Sequence, residues 1–77
     1  MNSTLPLVHI GRDSWERPVY ESNGQLYVDV DPRSSSPPAI CTKMNNNFNG
    51  EPDTPISVMK RFENVEIKFS PKRDVWR

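Results

Sequence analysis

The dipeptide Asn23-Gly24 limits what this chain can fold into more than any other feature. It stands between Arg17-Pro18-Val19-Tyr20 and a run from Gln25 to Asp31 in which Leu26, Val28 and Val30 alternate with Tyr27 and Asp29. Asparagine and glycine accept the two positive φ angles of a type I′ turn, whose twist matches that of the strands it joins. A β-hairpin follows. A two-residue loop fixes its register, with Tyr20 opposite Tyr27 and Val19 opposite Val28. One face is then aliphatic and the other carries a tyrosine pair, so both faces can be partly covered.

Leu5 to Ile10 is a short apolar run ended by Gly11, a strand that Pro6 assigns to a sheet edge. Asp31 to Pro38, with three serines and three prolines, is a loop. Ala39 to Met44 reads as a short strand. Asn45 to Pro55, with four asparagines, Gly50 and two prolines, reads as an ordered loop that buries little except Phe48. Thr54 before Pro55 has the form of a helix cap and first turn, predicting one or two helical turns through Phe62. Val65, Ile67 and Phe69 alternate with Glu66 and Lys68 in a last strand stopped by Pro71. Seventy-seven residues, of which 34% are hydrophobic, support one thin core and no second domain. The expected fold is therefore mainly β, within a small α+β range: a compact antiparallel sheet or half-barrel of three to five strands. It carries a long ordered loop and at most one short helix. Residues 1–77 form a single domain, with 1–4 and 77 frayed.

Formal net charge is +0, which selects no polyanionic partner. The distribution is uneven: residues 1–54 carry four Lys/Arg against seven Asp/Glu, and 55–77 carry six against three. Such a dipole either steers an encounter or neutralises itself when the C-terminal segment meets the acidic hairpin, and self-neutralisation is favoured in a small sheet. The single cysteine, Cys41, makes no internal disulfide. No charged-then-apolar leader and no membrane-length apolar run is present, so a cytoplasmic location without membrane contact is expected.

No constellation in the sequence supports catalysis or a cofactor. His9 and Cys41 fall short of the four ligands of a structural zinc site. Asn45-Asn46-Asn47-Phe48-Asn49-Gly50 imitates the opening of a calcium loop, but Ile56 stands where the bidentate glutamate belongs, and asparagine turn chemistry explains the run better. Cys41 with His9 is the one conceivable nucleophile and base, and Cys41, between Ile40 and Thr42, reads instead as an inert buried thiol. His9 reads as a half-buried strand residue, its tautomer set by one backbone partner. Asp29 with Asp31, and Glu51 with Asp53, are paired carboxylates read as solvated edge charges. No glycine pattern matches a nucleotide loop. The chain is expected to be non-enzymatic, with neither metal nor cofactor.

Arg12-Asp13-Ser14-Trp15 is echoed by Arg73-Asp74-Val75-Trp76, which predicts that the two tryptophans lie near each other or at opposite ends of paired terminal strands. Three stretches also carry a resemblance. They are Arg17-Pro18-Val19-Tyr20 with Asn23-Gly24-Gln25-Leu26-Tyr27-Val28-Asp29-Val30, then Ile40-Cys41-Thr42 with Asn46-Asn47-Phe48-Asn49-Gly50-Glu51-Pro52-Asp53-Thr54-Pro55-Ile56, then Glu66-Ile67-Lys68-Phe69. Over about residues 10–70 these resemble segments of large polyvalent accessory proteins of phages and conjugative elements in gut Firmicutes. The resemblance implies origin in a mobile element and brings no functional residues with it. Small proteins of such elements commonly block host defence, so a protein-binding module is expected, one form being an anti-CRISPR inhibitor. Its partner would be host- or element-encoded. Trp15, Tyr20 and Tyr27 would anchor the contact, and Asp29, Asp31, Glu51 and Asp53 would meet basic groups. The alternative is a single-strand nucleic-acid binder using Lys60, Arg61, Phe62, Lys72, Arg73 and Trp76.

Overall fold

A computed structural model of the chain describes residues 3–76. Its strands are β1 (Ser3–Arg12), β2 (Pro18–Ser22), β3 (Gln25–Asp29), β4 (Ile40–Lys43), β5 (Pro52–Pro55) and β6 (Val65–Ser70). They form one open sheet in the order β5-β4-β3-β2-β1-β6. The fold is mainly β, as expected, but it has six strands rather than three to five, and the sheet is mixed rather than antiparallel. β1 and β6 run parallel because the chain traverses every other strand before returning, the long connection that parallel pairing needs. β5 was hidden by its prolines. An edge strand tolerates residues without an N–H, and β5 pairs through Cys41↔Pro55 and Lys43↔Pro52 on one side only.

The central hairpin has the expected register, with Val19↔Val28 and Tyr20↔Tyr27. Asn23 and Gly24 turn it at φ 52° and 82°. A Cβ on Gly24 would meet nothing within 4 Å, so Gly24→Ala costs backbone strain alone. Urea unfolding should show a loss of roughly 1 kcal/mol. A neutral result would mean that the turn has another geometry.

Pro6 does not place β1 at the sheet edge. Ser3 to Val8 pair with β6, and Val8 to Arg12 pair with β2, so Pro6 lies in the half of the strand where only β6 is a partner. Ser3 and Thr4 were expected to fray, yet they pair with Val65 and Glu66. The same expectation for residues 1, 2 and 77 lies outside the described residues.

Strand alternation sorts the side chains. Leu5, Leu7, Tyr20, Tyr27 and Ile40 fill the concave face with Ile56, and Met59, Phe62, Val65, Ile67 and Phe69 pack around them. Ile56 and Phe62 arrive on two single 3₁₀ turns, Ile56–Val58 and Lys60–Phe62, joined by Met59. These replace the expected helix. Thr54 does not cap them, since Pro55 holds that position without a side-chain bond. The Thr54 backbone N–H instead donates to Thr42 Oγ1 at 3.2 Å, locking β5 to β4. Val19, Val28, Cys41 and Lys43 are buried from the opposite face. Among the described residues no helix is long and apolar enough to cross a membrane.

Candidate protein-binding surface

The turn from β1 to β2 is built on one buried carboxylate. Asp13 Oδ1 accepts the backbone N–H groups of Trp15 and Arg17 at 2.9 and 3.0 Å, the Asx-type local bonding that favours aspartate in turns. Its Oδ2 meets Lys43 Nζ at 2.5 Å, and the side chains of both residues are 0% exposed. Arg17 Nε stands 3.5 Å from the same oxygen, a charge contact rather than a hydrogen bond. Lys43 reaches Asp13 from β4, across the aliphatic face, and also donates to the Gly50 carbonyl at 3.0 Å. Gly50 must be glycine, because a Cβ there would lie 2.6 Å from the Met44 carbonyl oxygen.

The C-terminal segment is tied to the same end of the sheet. Arg73 Nε donates to the buried carboxylate of Asp29 at 3.1 Å, and its other nitrogens donate to the carbonyls of Ser36 and Asp31 at 2.7 and 3.0 Å. Asp29 also accepts the N–H groups of Asp31 and Ala39, so this one carboxylate organises the serine- and proline-rich loop. Asp74 takes a two-pronged bond from Arg12 at 2.8 and 2.7 Å, and its backbone N–H donates to the Tyr20 hydroxyl at 2.9 Å. The echoed motifs therefore meet crosswise, Arg12 of the first with Asp74 of the second. Trp76 follows, its N–H on the Pro32 carbonyl at 2.9 Å and its indole Nε1 on the Glu16 carbonyl at 2.6 Å.

That indole bond sets Trp76 against the residue next to Trp15, as the echo predicted. Both rings remain in water, Trp15 53% and Trp76 41% exposed. Arg17 stacks on Trp15, its guanidinium carbon 5.0 Å from the ring centre. Two tryptophans, Arg17 and the exposed Glu16 thus share one end of the sheet, on backbone fixed by buried ion pairs.

The residues read from the sequence divide into two groups. Trp15 is at the surface. Glu51 and Asp53 are exposed beside and on edge strand β5, and the half-exposed Asp31 is paired with Arg33 at 2.7 Å. Tyr20 and Tyr27 are core residues, 0% and 4% exposed, and Asp29 is 0% exposed, so none of the three offers a surface to a partner. Asp29 is not a solvated edge carboxylate, because Arg73 neutralises it from 44 residues away. The nucleic-acid set is not gathered into one strip. Lys60, Arg61 and Phe62 precede β6 and Lys72 follows it, Phe62 packs on the core, and Arg73 is engaged inward. Asp13, Lys43, Arg12, Arg17 and Asp74 were not singled out as site residues.

Cys41 and His9 cannot cooperate. The rows His9↔Tyr20↔Tyr27↔Thr42 put Thr42 on the face of His9, so its neighbour Cys41 projects from the other. Burial pushes the Cys41 thiol up, away from a reactive thiolate. His9 faces Asp74, with Nε2 3.1 Å from Oδ2, rather than the expected backbone group. In the asparagine loop Asn46 bonds Leu26 N–H and the Gly24 carbonyl, Asn47 bonds Asn49 N–H, and Asn49 bonds Ser14 N–H. Its side-chain oxygens serve turns.

For Asp13 burial is the largest influence and raises the pKa. The Lys43 bond, the N–H groups of Arg17 and Trp15, and the Lys43 charge outweigh it and hold the carboxyl below its ordinary value. Asp74 is held down chiefly by its bond from Arg12, against burial, with the Arg12 charge assisting. A carboxylate depressed on folding contributes stability that is full above its unfolded pKa and is lost as pH falls through its folded pKa. Urea midpoints should therefore be level above about pH 5 and fall progressively below it. Asp74→Asn should lower the neutral plateau and flatten the acid limb. An acid limb as steep as that of the parent would remove Asp74 from this account.

Comparison with protein-family models, curated proteins and solved structures finds no match to this chain.

Proposed function

We propose that the chain is a stoichiometric, non-enzymatic protein-binding module whose contact surface centres on Trp15 and Trp76 with Arg17. The observation that carries this reading is two large aromatic rings held in water on an immobilised backbone. Trp and Arg are the residues in which interface energy concentrates, and ordering them before contact lowers the entropy lost on binding. Glu16, Asp31, Glu51 and Asp53 supply acidic groups for steering toward a basic partner. The resemblance to phage and conjugative-element proteins supports a role as an accessory protein of such an element. An inhibitor of host defence, including the anti-CRISPR type, is its most specific form.

Affinity capture from the producing cell tests this, followed by titration of the captured protein. Trp15→Ala should weaken binding by roughly 30-fold or more, the effect of losing one hot-spot residue of about 2 kcal/mol. The urea midpoint should stay near that of the parent, because the Trp15 ring lies largely in solvent. Failure to capture any protein saturably, or unchanged affinity of the Trp15→Ala variant, would dismiss the reading.

A further inference from the structure

The two edges of the sheet are built differently. β5 carries Pro52 and Pro55, which lack an N–H and blunt it as a template for another strand. β6, Val65-Glu66-Ile67-Lys68-Phe69-Ser70, has no proline and pairs only with β1. Among the described residues no backbone bond links Val65–Ser70 to any segment but β1. One side of β6 therefore presents unpaired backbone donors and acceptors. Val65, Ile67 and Phe69 are half-buried toward the concave face, while Glu66, Lys68 and Ser70 are exposed on the other. Beside the strand runs a groove of about 330 Å³, lined by Ile40, Ile56, Phe62, Val65 and Ile67 among others.

The order of charges on this edge selects its occupant. In an antiparallel pair about a two-fold axis, the residue at the axis faces itself and its neighbours face each other crosswise. With the axis at Ile67, Glu66 lies opposite Lys68 of the second copy and Lys68 opposite Glu66, while Val65 lies opposite Phe69. Asn64 and Ser70 meet beyond them, both uncharged. Moving the axis to Glu66 or Lys68 sets like charges face to face, which is destabilising. Moving it by half a step sets Glu66 against Ile67, whose side chains project from opposite faces, which a regular ladder forbids.

We infer that β6 is the docking edge for a second copy of this chain, the two strands pairing antiparallel about Ile67 to join two sheets into one. The aliphatic and aromatic side chains of the incoming strand lie toward the concave side, beside the groove. A contact this short buries less than the roughly 1,200 Å² of a stable standard interface. The association is thus a reversible one, filled at high protein concentration.

Sedimentation velocity across a wide concentration range, up to millimolar, reads it directly. The parent should show a concentration-dependent monomer–dimer equilibrium. Lys68→Glu and Glu66→Lys each set like charges opposite one another twice and should weaken the dimer by roughly tenfold or more. The double variant Glu66→Lys with Lys68→Glu restores opposite charges throughout and should dimerise as the parent does. Lys60→Glu, which changes net charge as Lys68→Glu does but lies outside β6, should leave the equilibrium in place. All three substituted positions, Lys60, Glu66 and Lys68, are exposed, and far-UV circular dichroism verifies that each variant is folded. A parent that stays monomeric, single reversals that dimerise as the parent does, or a folded double variant that stays monomeric would each overturn the inference.

Discussion

Lys43→Met should destabilise the protein by about 3 kcal/mol, the cost of removing one partner from a buried ion pair. The replacement fills similar space with apolar atoms, so packing changes little. What is lost is, among the described residues, the only ammonium in contact with Asp13, whose side chain is 0% exposed. Arg17, 3.5 Å away, remains as partial compensation and keeps the effect at the lower end of the range for such pairs. Single cores of this size seldom provide more than about 5 kcal/mol, so the variant should retain about 2 kcal/mol or less and melt well below the parent. Adding Asp13→Asn removes the orphaned charge while keeping an acceptor for the Trp15 and Arg17 N–H groups. The double variant should be more stable than Lys43→Met alone. Equal stability of Lys43→Met and the parent in urea would show that Asp13 and Lys43 do not form a buried pair.

Arg73→Met should act comparably, by about 3 kcal/mol, through a different carboxylate. Asp29 is 0% exposed, and Arg73 is the cation that reaches it. The same guanidinium satisfies the carbonyls of Ser36 and Asp31, so its loss frees the 31–38 loop as well as the C-terminal segment. Hydrogen exchange separates this from a general weakening. Amides of residues 74 and 76 should lose protection before those of β3, which is paired on both sides. Uniform loss across the sheet would mean that Arg73 has no special hold on the C-terminal segment.

Both substitutions concern what the sequence hid. The hairpin was legible because its information is local: Asn23-Gly24 supplies the turn, and alternation supplies the faces. β6 was legible for the same reason, through Val65, Ile67 and Phe69. β5 was not, since prolines that argue against a central strand are compatible with an edge. The parallel pairing of β1 with β6 depends on contacts more than 60 residues apart in sequence, such as Leu5 with Ile67, which no local pattern encodes. Asp29 looked like a solvated carboxylate because its neutralising Arg73 lies in the last strand's tail. Tyr20 and Tyr27 read from the sequence as anchors although their pairing on one face already allows for burial, and Ile56 and Phe62 close that face over them. Of the site, Trp15 and the nearness of Trp76 were readable in the Arg-Asp-x-Trp echo. Asp13 and Lys43, which hold the turn in place, left no signal beyond that echo's first aspartate.

The indole N–H groups of Trp15 and Trp76 report most directly on whether the two rings form one recognition surface. In ¹H–¹⁵N spectra of the labelled protein, Trp76 should exchange slowly because its Nε1 is bonded to the Glu16 carbonyl at 2.6 Å. Trp15, whose indole N–H has no such bond among the described residues and whose ring is 53% exposed, should exchange fast. Titration with the captured partner should shift both signals along one saturable curve, together with the amides of the 13–17 turn. A partner that binds saturably while both indole signals stay in place, with the shifts gathered elsewhere on the sheet, would contradict the assignment of this surface.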